Sequence, residues 1–149
     1  MSRIRILLAD DHQTVREGLK TILVGQDDFD VVGEAAAGQV AVAATRQLRP
    51  DVVVMDVSMS VMNGLKATEA IAQSCPEVKI LVLTRHRDEA HLQELLRAGA
   101  SEYVLKQSHA TEMVNAVRAV ASGRMYLDST VTAAVSCYWR GQRHADDNI

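Results

Sequence analysis

The sequence is poor in most features that would send it out of the cell, into a membrane or onto nucleic acid. It has two cysteines, Cys75 and Cys137, far apart and in no C-x-x-C pair. Neither a zinc site nor a disulfide framework is indicated, and a reducing cytoplasm is the expected location. Aromatic residues make up 3%, so base stacking on aromatic platforms has little to work with. No apolar run approaches the roughly 18 residues of a membrane span. The apolar stretch behind Met1-Ser2-Arg3-Ile4-Arg5 ends at Asp10, too soon for the core of a secretory signal. Neither sign of charge dominates: the formal net charge is −3, which argues against general electrostatic binding of nucleic acid. A low-complexity linker, a charge run or an internal repeat is not apparent.

What is present is the pattern of one α/β domain. The 149 residues, 48% hydrophobic and 23% charged, suffice for a real core. Five apolar runs read as buried strands: Ile4–Ala9, Phe29–Ala35, Val52–Met55, Lys79–Leu83 and Glu102–Leu105. Most lack alternation, as expected where both faces of a parallel sheet are covered. Helical spacing fills the gaps. Val15, Leu19, Ile22 and Leu23 mark a first helix; Val40, Ala43, Ala44 and Leu48 mark a second. Leu65, Thr68, Ile71 and Ala72 give a third, and Leu92, Leu95 and Leu96 a fourth. Met113, Val114, Val117, Val120 and Ala121 make the fifth. Gly25, Gly38, Gly64, Gly99 and Gly123 fall at element ends, Pro50 precedes the third strand and Pro76 stops the third helix. Strict β-α alternation with right-handed crossovers predicts a doubly wound, five-stranded parallel sheet of order 2-1-3-4-5. The domain is expected over residues 1–123. Residues 124–149 read as a linker or tail with one short helix at Asp128–Trp139 and no DNA-binding domain.

In such a sheet ligands bind beyond the carboxyl ends of the strands, where the strand order reverses. The residues that arrive there are Asp10 and Asp11, Asp56, Thr84 and Lys106. Clustered carboxylates repel one another unless a cation compensates. An oxygen-only set with open positions suits Mg²⁺ better than Ca²⁺. Phosphoryl transfer uses this arrangement: a carboxylate attacks, a metal offsets the developing charge and fixed donors hold the other oxygens. Asp56, the single carboxylate at its strand end, is the expected nucleophile. Asp10 and Asp11 are the expected metal holders, and Lys106 and Thr84 the contacts to the phosphoryl group. Taken singly, each residue has a plainer reading as a helix cap, turn residue, strand residue or solvated lysine. Their agreement at four strand ends carries the argument.

With these residues in place the sequence resembles the response-regulator receiver family, over essentially residues 3–123. The matching pieces are Leu7-Leu8-Ala9-Asp10-Asp11-His12, Val54-Met55-Asp56-Val57-Ser58-Met59, Met62-Asn63-Gly64, Leu83-Thr84, and Gly99-Ala100-Ser101-Glu102-Tyr103-Val104-Leu105-Lys106. The resemblance implies the flavodoxin-like receiver fold and an aspartyl phosphate on Asp56, donated by a histidine kinase or phosphotransfer protein. It implies Mg²⁺ bound through Asp11, Asp56 and the main-chain carbonyl of Ser58, with Asp10 assisting through water. Thr84 and Tyr103 would be the coupled switch pair. Such a module catalyses its own phosphorylation and dephosphorylation and is not a turnover enzyme. The segment from Ala110 to Arg118, followed by Gly123-Arg124-Met125-Tyr126-Leu127, looks like the NarL/FixJ subfamily, which carries a LuxR-type effector. That points to a homodimer through the first and fifth helices, with Ala116, Val120, Tyr126 and Leu127 as candidate apolar surface. No DNA binding by this chain alone and no membrane partner are expected.

Two departures from the family pattern stand out. Ser60 takes the place of a usual proline, and Arg85 that of a usually small residue after the switch threonine. Arg85 is either a solvated surface residue or a modulator of access that covers the site or pairs with Asp56. A pseudo-receiver that docks without phosphorylation has only these two residues in its support. A phosphatase with an aspartyl intermediate would want an acid two residues after the nucleophile, where this chain has Ser58. A flavin-binding protein would want a Ser/Thr/Gly-rich phosphate loop after the first strand, and none is there.

Overall fold

The computed structural model describes residues 3–56, 64–84, 89–105 and 110–123. Its elements alternate without exception. They are β1 (Ile4–Ala9), α1 (Gln13–Val24), β2 (Phe29–Ala35), α2 (Gly38–Leu48), β3 (Val52–Asp56), α3 (Gly64–Ser74), β4 (Lys79–Thr84), α4 (Glu89–Ala98), β5 (Glu102–Leu105) and α5 (Ala110–Ala121). The strands form one sheet of order β2-β1-β3-β4-β5, and every neighbouring pair is parallel. The sheet order and the alternation agree with the expectation from sequence. β3 and β4 each run one residue further than their apolar runs, taking in Asp56 and Thr84.

Period-two alternation divides the buried side chains between two cores. Ile6, Leu8, Val52, Val54, Leu81, Leu83 and Val104 meet Leu23 of α1 and Met113, Val114, Val117 and Val120 of α5. On the other face Leu7, Ala9, Val53, Met55, Ile80, Val82, Tyr103 and Leu105 meet α2, α3 and α4 through Ala41, Val42, Ala67, Ile71, Leu95 and Leu96. Both faces are therefore covered, which is why the strands read as continuous apolar runs.

Three local features stand out. The fully buried residues of α2 include Ala41, Val42 and Thr45. Of the expected stripe, Ala44 and Leu48 pack against the core beside them, whereas Val40 is 50% exposed and Ala43 is exposed too. In this alanine-rich helix half of the expected stripe faces the sheet, and packing brings in Ala41 and Val42 in place of Val40 and Ala43. The left-handed turn ending α2 falls on Arg49 (φ 50°) and not on a glycine. Ala116 and Val120, expected to offer surface to a partner, are buried in the chain's own core, because they lie on the stripe of α5 that covers the sheet. Tyr126 and Leu127 lie outside the described residues.

Gly99 is where glycine is required. Its φ is +116°, and a Cβ there would stand 2.4 Å from Cβ of Ala72 in α3. The turn from α4 into β5 can close on α3 only without a side chain. No helix among the described residues is long and apolar enough to cross a membrane.

Candidate functional site

β1 ends at Ala9, and the chain leaves the sheet at Asp10. The Asp10 N–H donates to the carbonyl of Ala35, at the end of β2, at 3.0 Å. Its carboxylate is buried, and Oδ1 accepts the N–H of His12 at 2.9 Å, a local turn of the kind Asp favours. Arg16 in α1 reaches back and donates from Nη1 to the Asp10 carbonyl at 2.7 Å. Asp11 follows with a partly exposed side chain. Asp56 arrives from the neighbouring strand: Ala9 of β1 stands beside Met55 of β3, so the next residue along each strand lies at the same edge. Asp56 is 1% exposed.

One donor atom from each of Asp10, Asp11, His12 and Asp56 lies within 4.8 Å of all the others. If ionised together, two carboxylates at that distance repel by about 3 kcal/mol at an effective dielectric near 20. Three such groups, two of them almost wholly buried, form a place where a divalent cation offsets a large repulsion. Carboxylate oxygens form the majority of the donors and favour a hard cation. His12 was given no role by sequence reasoning, although it directly follows the two aspartates. Its Nδ1 lies 2.9 Å from Oδ1 of Asp11 and 3.4 Å from Oδ1 of Asp10.

The remaining expected residues divide into two groups. Thr84 closes β4 and is 1% exposed; it lies one step past Leu83, the partner of Asp56 in register. Tyr103 pairs with Val82 and is buried in the core under α2, α3 and α4. Val82 and Thr84 are two residues apart on one strand, so Thr84 and Tyr103 share a face of the sheet. Tyr103 is wholly buried, where an aromatic at the sheet edge could have been half-exposed. Lys106, Ser58, Ser60 and Arg85 lie outside the described residues.

Residues 6–118 match the family described as the response regulator receiver domain. The chain belongs to that family. The receiver is 41% identical over 131 residues to the transcriptional regulatory protein DegU of Brevibacillus brevis, covering 88% of this chain and 56% of DegU. Among solved structures it superposes on a LuxR-family two-component response regulator from Aurantimonas with a TM-score of 0.85 and 36% identity. That match covers 91% of this chain and 96% of the other. The isolated receiver domain of RcsB from Salmonella enterica, solved with a beryllofluoride phosphomimetic, matches with a TM-score of 0.81 and 26% identity over 89% of this chain and 99% of that one. RcsB has also been seen as two dimers bound to two parallel DNAs. The chain spans little more than half of DegU's length. It is thus a receiver of two-component signalling, in the five-stranded parallel fold of order 2-1-3-4-5.

Proposed function

We propose that this receiver is switched by phosphorylation of Asp56, with Mg²⁺ as the metal. The observation that carries the reading is the gathering of Asp10, Asp11 and Asp56 at one edge of the sheet. Asp11 and Asp56 would bind the ion directly together with the Ser58 carbonyl, and Asp10 through water. When bound, Mg²⁺ offsets the negative charge of the phosphoryl oxygens. An Oδ of Asp56 attacks phosphorus in line; the bond from phosphorus to the donor breaks, and its electron pair leaves with the donor. With a histidine kinase or phosphotransfer protein as donor, the leaving group is an imidazole nitrogen, which takes up a proton from solvent. Lys106 and the Thr84 hydroxyl hold phosphoryl oxygens. Reversal is hydrolysis of the acyl phosphate by water, so the module returns to its starting state and turns over no external substrate.

Thr84 and Tyr103 are the switch pair in this reading. They share a sheet face, and movement of the Thr84 hydroxyl towards a phosphoryl oxygen changes the space beside the buried Tyr103 ring. Residues 1–123 would be the receiver and 124–149 a linker or tail, in a cytoplasmic protein. Its output would be an association change, a homodimer using α1 and α5, with no DNA binding by this chain alone. Exposed Val15 and Val24 on α1 and the dimers of RcsB support that route. Arg85 would limit access to Asp56.

The test is intact mass after incubation with a small phosphodonor and Mg²⁺. One phosphoryl group is expected on the wild type and none on Asp56→Asn. Labelling of a folded Asp56→Asn protein, or none on the wild type, would sink the reading.

A further inference from the structure

Arg16 belongs to α1 and takes no part in the chemistry above, yet it is the side chain that holds the backbone at the acidic corner. The Asp10 carbonyl lies beyond the end of β1 and before the ladder of α1, whose first bond runs from the Arg16 N–H to the carbonyl of His12 at 2.8 Å. Asp10 is fully buried, and a buried carbonyl is stabilised by a donor. The Arg16 guanidinium supplies one at 2.7 Å.

The guanidinium is itself anchored. Its Nε lies 3.3 Å from Oε1 of Glu34 in β2, while the other oxygen of Glu34 takes Lys20 at 2.9 Å. Lys20 first, and Arg16 after it, hold the Glu34 carboxyl below its ordinary pKa. The next residue of β2, Ala35, accepts the Asp10 N–H. Both backbone groups of Asp10 are therefore tied to the end of β2, one directly and one through Arg16.

The tie has a geometric consequence. The Asp10 carbonyl and the Asp11 N–H belong to one planar peptide. Fixing that carbonyl fixes the plane from which Asp11 departs, and so narrows the directions that the Asp11 carboxylate can take. Arginine suits the task because its planar fork serves two acceptors at once, where a lysine ammonium is a point charge.

We propose that Arg16 is a positioning residue for the metal site, setting the Asp10–Asp11 peptide so that both carboxylates face a common cation. The proposal rests on the reading of that site as a Mg²⁺ site. Removing Arg16 has two opposed effects. The corner loosens, which weakens Mg²⁺ binding; a neighbouring positive charge is lost, which strengthens it. Lys20 separates the two, since it is a cation on the same Glu34, whereas the bond to the Asp10 carbonyl comes from Arg16.

Calorimetric titration of Mg²⁺ into the full chain, below the melting temperature of each variant, tests the role. Groups that orient metal ligands typically change affinity by about tenfold or more when removed. Arg16→Met should therefore raise the Kd for Mg²⁺ about tenfold, while Lys20→Met stays near wild type or binds slightly tighter. Arg16→Lys keeps the charge but lacks the fork, and should also bind more weakly than wild type. Wild-type affinity in both Arg16 variants, or tighter binding in Arg16→Met, would overturn the positioning role alone. Absence of Mg²⁺ binding by the wild type would overturn the metal reading beneath it as well.

Discussion

Replacing Glu102 by glutamine should stabilise the fold by an amount that grows with pH. Glu102 opens β5 and is fully buried. By alternation it lies on the face that α1 and α5 cover, beside Leu81. Oε1 accepts the Tyr103 N–H at 3.1 Å, while Oε2 has no hydrogen-bond partner. Burial lifts the pKa from 4.5 to about 8, and the Tyr103 N–H offsets only part of that rise. At neutral pH the group is an uncharged acid in the folded chain and a carboxylate in the unfolded one.

Between the unfolded value and about 8 the folded state holds one more proton. The stability that this group contributes is full below its unfolded pKa and is lost as pH rises through the folded one, at about 1.4 kcal/mol per pH unit. At pH 7 the loss comes to about 3 kcal/mol, large against the roughly 5–15 kcal/mol that a domain has in hand. Glutamine keeps an acceptor for Tyr103 and has nothing to ionise. Urea unfolding of both proteins from pH 5 to 8.5 should show the wild type falling steadily below Glu102→Gln. The acids with lowered pKa act below this range: Asp28 through its bond from Arg118, Glu34 through Lys20, Glu77 through its own backbone N–H. They are common to both proteins and cancel in the difference. Parallel stability curves across the range would refute the claim that Glu102 folds as a neutral acid.

Two further outcomes follow from the geometry. Mg²⁺ at ~100 times its Kd should stabilise the wild type by about 2.7 kcal/mol, and Asp11→Asn should lose most of that gain; a melting temperature indifferent to Mg²⁺ in the wild type would contradict the site. Gly99→Ala combines a positive φ with a 2.4 Å approach to Ala72 and should cost about 2–4 kcal/mol in chemical denaturation, whereas a loss under about 0.5 kcal/mol would mean that the α4–β5 turn relaxes freely.

The fold was legible because a parallel sheet covered on both faces writes its strands as uninterrupted apolar runs. Ile4–Ala9, Phe29–Ala35 and Glu102–Leu105 coincide with observed strands. Where Asp56 and Thr84 end a strand, polarity hid the last residue. The stripe of α2 was only half legible: Ala44 and Leu48 pack inward as expected, but among alanines on every side nothing marked Ala41 over Ala43. The aspartates of the candidate site could be placed from strand ends alone. Arg16 could not, because an arginine at the start of a helix reads as solvated, and its partner is a backbone carbonyl that no side-chain pattern reveals. Glu102 escaped for a related reason: a glutamate opening an edge strand reads as the residue that meets water. Only the packing of α5 over the sheet shows that it does not.

The strand order β2-β1-β3-β4-β5 also bears on how the molecule can be put together in time. In synthesis order β2 joins one side of β1, β3 the other, β4 joins β3 and β5 joins β4. Each newcomer meets an open edge, and no strand has to be threaded between two that are already paired. The one long closure is β1 with β3, which spans α1, β2 and α2; every other pairing crosses a single helix. A ribosome releasing this chain could therefore let each βα unit settle as it emerges, with the cost of loop closure spread over four additions.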